Sequence, residues 1–386
     1  MKSTFQIVVS LVNSAIHSKP IASDIQILNF GAVLNCARRQ TVDGLLADIP
    51  LHTLLLPTDR ALFAQWAASI VALEKLHNTH NIEIARIANT FAMANVRYAL
   101  LKGQCSASHY AVPTHRKIGD IDIYVSPNSF AKACELMRNL GYTMIEDFPI
   151  HTIYKNGEFE VELHKILQNT YWCLSKHRLL RFMTDHFDNP NITIPQIQIL
   201  NTQVNILPPE VEILSHTLHI RKHFMSSGIG LRHIYDWALC WNCYKCDVDW
   251  TLLHAILGGT HAMRTFRVLY YFAIKYLDFQ WSELALDGMP LSSWEKKLAQ
   301  KLWQMVEETG NFGKDLEHKN ISIIHNVYDL YLKRRLQAFA LSHTEVTSEL
   351  LHKFFQIIMG RVGAKRFMRY YSVDGRAAAA SRNIEK

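Results

Sequence analysis

No window of eighteen or more residues in this 386-residue chain is free of polar groups, so the sequence gives no sign of a spanning helix. Fixed-period repeats and low-complexity tracts are also missing. A strong charge excess is absent: the formal net charge is only +7 and the basic residues are spread out. That balance suits an anionic ligand such as a nucleotide without demanding nucleic acid. The seven cysteines follow no secretory leader, and free thiols are expected. The apolar run from Ile7 to Val12 is short and resembles a signal peptide only weakly. Ile7, Val8, Leu11 and Ile16 instead suit one face of a helix, so the expectation is an amphipathic opening helix and a cytoplasmic protein.

What is present is ample apolar material, 49% of residues against 19% charged, enough for two or three folded units. Residues 1–95 read as a helical N-terminal region. Within it Leu62, Trp66, Ile70, Leu73, Leu76, Ile82, Ile84, Ile87 and Phe91 recur at helical spacing from Thr58 to Asn95, with a break expected near 78–81. Residues 96–205 read as a small mixed unit. Arg97–Leu101 is a strand ending in Lys102-Gly103, Ile118–Val125 a second strand, and Phe130–Leu140 a helix stopped by Gly141. Further strands are expected at 142–146, 152–154 and 158–164, the last two joined at Lys155-Asn156-Gly157, a hairpin signal. Residues 206–371 read as a helical C-terminal domain, with helices near 209–225, 229–246, 249–258, 261–277, 291–308, 322–340 and 346–371. Residues 372–386 form a frayed tail. The expected class is α+β, a small mixed sheet flanked by helices.

The chemistry concentrates in Lys117-Ile-Gly-Asp120-Ile-Asp122-Ile-Tyr-Val125. Alternate side chains of a strand share a face, so Asp120 and Asp122 point one way and Ile121, Ile123 and Val125 the other. Two adjacent carboxylates repel unless a divalent cation sits between them, and magnesium takes carboxylates together with substrate phosphates. Glu158–His164 alternates likewise, with Glu160, Glu162 and His164 on one side, so a neighbouring strand can bring a third carboxylate. Lys102-Gly103 offers a charge and close backbone approach to a phosphate, and Arg116 a further contact. These parts suit phosphoryl-type transfer, where positioning and charge neutralisation dominate.

Leu100-Leu101-Lys102-Gly103, Arg116, Asp120-Ile-Asp122 and Val161-Glu162-Leu163-His164 resemble the uncharacterised bacterial nucleotidyltransferase-like proteins of the DNA polymerase beta superfamily. The resemblance continues through Leu214-Ser-His216-Thr-Leu-His219 and Arg232-His-Ile-Tyr-Asp236-Trp. It implies that Asp120 and Asp122 bind the metal ions, two Mg2+, that carry a nucleoside triphosphate such as ATP. It also implies that Glu162, in preference to Glu160, completes the metal site and helps deprotonate an acceptor hydroxyl. Lys102 and Gly103 would meet the phosphates. Gln104 departs from the superfamily's second small residue, and Ser106 and Arg116 are the substitute phosphate contacts. The implied reaction moves a nucleoside monophosphate to an unknown small-molecule or protein acceptor and releases pyrophosphate. A catalytically inactive nucleotide-binding regulator and an RNA-end modifier are the alternatives.

Blander readings stand beside these. The aspartates can be exposed positions on a half-solvated strand. His216, His219 and His223 share a helix face; packing competes there with contacts to nucleotide or acceptor and with a metal role. Cys240, Cys243 and Cys246 suggest an iron–sulfur motif but lack a nearby fourth cysteine, and buried structural thiols along one helix face are the expectation. Arg232 and Asp236, four apart, either pair with each other or shape the acceptor side of a cleft. Lys353, Arg361, Lys365, Arg366 and Arg369 make a C-terminal basic face, read as solvated in preference to membrane- or RNA-binding.

Overall fold

The alternation in Ile121-Asp-Ile-Tyr-Val125 sets the layering of the molecule. The computed structural model describes residues 2–225, 228–282, 290–310 and 342–358. Its strands β1 (Tyr98–Leu101), β2 (Ile121–Val125), β3 (Thr143–Asp147), β4 (His151–Asn156) and β5 (Phe159–His164) form one sheet in the order β1-β2-β5-β4-β3. Strand β2 is antiparallel to β1 and parallel to β5, and the remaining pairs are antiparallel. The α+β class expected from the sequence is the one observed.

One face of this sheet is apolar. Leu100, Ile121, Ile123, Val125, Val161 and Leu163 are buried in one cluster with Ile84, Ile87 and Phe91 of a long helix and with Ala133 and Met137 of a short one. Each fully buried Ile, Leu or Val there contributes about 1.5–3 kcal/mol. The helices run, in chain order, as α1 (Thr4–Ile16), α2 (Phe30–Arg39), α3 (Arg60–Met93), α4 (Gly103–Ala107), α5 (Pro127–Asn139) and α6 (Cys173–Met183). They continue as α7 (Pro209–Met225), α8 (Leu231–Tyr244), α9 (Trp250–Gly259), α10 (Met263–Tyr276), α11 (Ser293–Thr309) and α12 (His343–Ile358). A second, larger core joins α1 and α2 to α7, α8, α10 and α11, with Ala99, Leu101 and Tyr124 from the opposite sheet face. Strand β2 is therefore covered on both sides, with all five of its residues buried, while every residue of β3 at the far edge is exposed.

The N-terminal helices are tied to α8 and α11 across this larger core. Ser3 caps α1 by accepting from the Gln6 amide, and its hydroxyl donates to Glu307 of α11 at 3.0 Å. The Gln40 side chain accepts from the Leu231 amide and donates to the Val306 carbonyl.

Several elements differ from the expectation. Helix α3 runs 34 residues without a break. The polar stretch near 78–81 is accommodated because His77 Nε2 lies 2.7 Å from the Arg116 carbonyl and Thr79 donates back to the Lys75 carbonyl. The sequence reading did not separate α6 or the hairpin of β6 (Gln196–Ile199) and β7 (Thr202–Asn205). The β4–β5 turn forms where expected, with Gly157 taking φ +56°. The 322–340 helix, the basic face from Lys353 to Arg369 and the tail from 372 lie outside the residues or side chains described. Among the described residues no helix is long and apolar enough to cross a membrane.

Candidate active site

On the polar face of the sheet, strand pairing brings the acidic side chains together. Asp122 is the register partner of Leu101 on β1 and of Glu162 on β5, and paired residues of neighbouring strands point the same way. His164 and His151 are likewise paired across β5 and β4. Asp120 sits in the bend just before β2, not on the strand as the sequence suggested. Its carboxylate still reaches the cluster: ligand oxygens of Asp120, Glu160 and Glu162 all lie within 4.8 Å of one another.

Lys102 and His164 hold Asp122. Lys102 Nζ is 3.2 Å from Asp122 Oδ1, and His164 Nε2 is 2.7 Å from the same oxygen and 3.5 Å from Glu162 Oε2. Lys102 has φ +45° and ψ −139°, a conformation costing a non-glycine residue about 1–3 kcal/mol. Gly103 follows with φ +40°. This sharp exit from β1 returns the Lys102 side chain over the sheet edge, towards the carboxylates.

The electrostatics follow from this crowding. The Asp122 charge and burial, with help from Glu162, push Asp120 up to about 6. Asp122 is buried, yet Lys102 and His164 hold its carboxyl well below the usual range. Burial opposes ionisation of Glu162, but the His164 hydrogen bond together with the nearby His151 and His164 rings lowers its pKa. His164 is pushed up, its hydrogen bonds to Asp122 and Glu162 overcoming burial. Lys102 is raised by Asp122, Asp120 and Glu162 against the effect of burial, whereas burial lowers His151.

Asp120 therefore carries a testable cost. The folded protein binds the Asp120 proton more tightly than the unfolded chain, so this stabilisation is full below the ordinary carboxylate pKa and is lost as pH rises through about 6. In chelator, Asp120→Asn is expected to stabilise the protein by about 1–2 kcal/mol near pH 8 and by much less near pH 4.5. Thermal melts at both pH values check this; an equal effect at both contradicts it.

Two other expected phosphate contacts are placed elsewhere. Arg116 is buried and makes a bidentate pair with Asp236, Nε–Oδ1 2.8 Å and Nη2–Oδ2 2.7 Å. The Tyr110 hydroxyl donates to the same carboxylate at 2.7 Å. Arg116 is thus held as a staple between the loop before β2 and α8. Asp236 does not take Arg232 as its hydrogen-bonded partner; Arg232 donates to the Lys117 carbonyl at 2.8 Å. Ser106 is fully buried, with its hydroxyl 3.3 Å from His216 Nε2, because α4 turns it towards α7. Cys243 and Cys246 are exposed and only Cys240 is buried, so the three thiols do not form the buried stripe expected. Cys246 lies beyond the end of α8.

Sequence reasoning placed His164 on the acidic face but gave it no role; its contact with two carboxylates appears only once β2 and β5 are paired. His151 had no signal in the sequence, since its nearness depends on the β4–β5 register. His219, His223 and His233 also converge, their ligand nitrogens within 4.8 Å of one another, through a packing of α7 on α8 that helix periodicity alone does not give.

A mixed sheet presenting clustered carboxylates beside a lysine–glycine turn is the arrangement of a nucleotidyltransferase. The chain belongs to the family described as uncharacterised nucleotidyltransferase, whose model matches residues 28–278. Three solved structures are similar to parts of it. The antibiotic-resistance factor ANT(2'')-Ia is 14% identical, covers 51% of this chain and 95% of its own, and has a TM-score of 0.34. An antigenic nucleotidyltransferase-like protein from Paracoccidioides brasiliensis is 14% identical, with coverage of 55% and 94% and a TM-score of 0.32. A tRNA nucleotidyltransferase is 12% identical, with coverage of 71% and 99% and a TM-score of 0.20. No curated protein matches.

Proposed function

We propose that the protein transfers a nucleoside monophosphate from a nucleoside triphosphate, ATP among the candidates, to an acceptor hydroxyl and releases pyrophosphate. The observation that carries this reading is the gathering of carboxylates: Asp122 and Glu162 are paired across β2 and β5, and Asp120, from the bend before β2, brings an oxygen within 4.8 Å of those of Glu160 and Glu162. Such a donor set is all oxygen and suits magnesium. The elevation of Asp120 by its acidic neighbours marks an excess of negative charge that divalent cations would offset. Asp120, Asp122 and Glu162 are the residues to hold two Mg2+ ions, which when bound would neutralise charge on the phosphates.

The chain's own residues do the rest. Glu162 takes the proton of the acceptor hydroxyl, the freed oxygen forms a bond to the alpha-phosphorus, and the bond to the pyrophosphate oxygen breaks. Lys102 lies within reach of both carboxylate and phosphate, and Gly103 lets the backbone come close to the phosphates. His164 holds Asp122 and Glu162 in register. A small-molecule or protein acceptor fits better than nucleic acid, because the modest net charge of +7 is spread over the chain. The seven cysteines fit a reducing, cytoplasmic setting.

The test is a screen of the four nucleoside triphosphates with Mg2+, reading pyrophosphate release and mass changes in the protein and in candidate acceptors. Glu162→Gln is expected to lower turnover at least tenfold more than Glu160→Gln, since Glu162 is the partner of Asp122 across the strands. The reverse order would transfer the role to Glu160. Nucleotide binding without pyrophosphate release across a broad acceptor set would instead indicate a sensor.

A further inference from the structure

Three histidines that the proposed reaction does not use converge where α7 packs on α8. His219 and His223 stand four residues apart on α7 and share one helix face, and His233 comes from the first turn of α8. Their ligand nitrogens all lie within 4.8 Å of one another. The His219 and His223 ring centroids are 4.4 Å apart, edge to face, and His223 and His233 stack at 5.3 Å. His223 and His233 are buried and His219 is half-buried, so the trio has a closed side and an open one. The Lys102 and Lys222 charges act on His219, and the Lys222 charge acts also on His151 of β4. The end of α7 therefore lies near the lysine–glycine turn and the polar face of the sheet.

Three imidazoles are a ligand set for zinc and its borderline neighbours, whereas magnesium takes oxygen donors. Two histidines at this spacing on a helix grip zinc from one face, and a third leaves one position open. Tetrahedral zinc with ordinary bond lengths separates nitrogen ligands by about 3.3–3.4 Å, so small ring rotations bring these nitrogens onto one ion. A ligand imidazole must be neutral. Burial, with the neighbouring His223, pushes His219 well below the ordinary histidine value. Burial and the Arg232 charge do the same to His233. The charges acting on these two rings include Lys102, Lys222, Arg232 and Arg116, against Asp236, which Arg116 already holds. Such surroundings favour a negatively charged oxygen as the fourth ligand.

We infer that His219, His223 and His233 form a zinc site of three imidazoles, with a solvent oxygen in the fourth position on the half-buried side. The ion would clamp α7 to α8 beside the candidate active site. The assignment does not rest on the transfer reaction, so either can fail without the other.

Full-length metal-free protein, with excess Mg2+ present to occupy the carboxylates, is titrated with Zn2+ by calorimetry. The tightest equivalent is expected to persist in Asp120→Asn, which changes the carboxylate group. It should weaken by at least about tenfold in His219→Ala, since even a contact supporting a ligand is worth that much, with circular dichroism unchanged. X-ray absorption of the wild type loaded with half an equivalent of zinc needs no variant to fold. It should show nitrogen and oxygen ligands near ~2.0–2.1 Å, the scattering of three imidazole rings and no sulfur. The His151, Glu162 and His164 group offers two imidazoles, so a two-imidazole shell would put the zinc there and overturn the site. A wild type that takes up no zinc, a tightest equivalent unchanged in His219→Ala, or its loss in Asp120→Asn would overturn it too.

Discussion

Asp122→Asn is expected to lower nucleotidyl transfer by about 10²–10³-fold or more, the range found when a preorganised electrostatic group is removed from a reacting centre. Asp122 sits where three strands, one lysine and one histidine meet. It is paired with Glu162 across β2 and β5 and contacted by Lys102 at 3.2 Å and His164 at 2.7 Å. Asparagine keeps the volume and can still accept from Lys102, so the fold should persist, with circular dichroism unchanged. The loss should fall on kcat, because the missing charge matters most as charge shifts on the phosphates. The measurement is steady-state pyrophosphate release with the preferred triphosphate. Wild-type turnover in this variant would remove Asp122 from the reaction and with it the proposed metal site.

Asp236→Ala is expected to cost about 3–5 kcal/mol of stability, the usual price of leaving one member of a buried ion pair alone. Arg116 and Asp236 side chains are 5% and 3% exposed, so solvent screens little of the effect. The alanine variant strands the guanidinium and also removes the acceptor of the Tyr110 hydroxyl. Urea denaturation checks the figure; a loss under about 1 kcal/mol would mean that the pair is solvated like a surface bridge. Replacing both partners with apolar residues should recover much of the loss. The Arg116 guanidinium holds the Asp236 carboxyl well below the usual carboxylate range despite burial. The pair's stabilisation is thus present above the ordinary carboxylate pKa and is lost only as pH falls through that depressed value.

How much of this was legible in the sequence depended on range. The alternation of Ile121, Ile123 and Val125 with Asp122 specifies which side of β2 is buried against helices, because strand periodicity is local. The carboxylate strand Glu158–His164 was recognisable for the same reason, and its resemblance to known nucleotidyltransferases singled out Glu162. What the sequence did not carry were partnerships across long separations. Arg116 looked like a phosphate contact because its charge and its place before Asp120 are local facts. Its partner Asp236 is 120 residues away, and Asp236 has its own local candidate in Arg232. The contact of Ser106 with His216 was not legible either, because nothing in a five-residue helix says which neighbour will cover it. The polar stretch at 78–81 suggested a helix break, yet the helix runs on, with Thr79 bonded back to the Lys75 carbonyl and His77 held by the distant Arg116 carbonyl.

The uninterrupted course of α3 bears on how the molecule holds together. Thirty-four residues at about 1.5 Å each make a rod of about 51 Å. Trp66 and Ile70 near its start belong to the large core, and Ile84, Ile87 and Phe91 near its end belong to the core behind the sheet. One helix is thus a shared girder for both interiors. Melting either interior removes the wall against which the other is built, so the carboxylate face has no independent foundation.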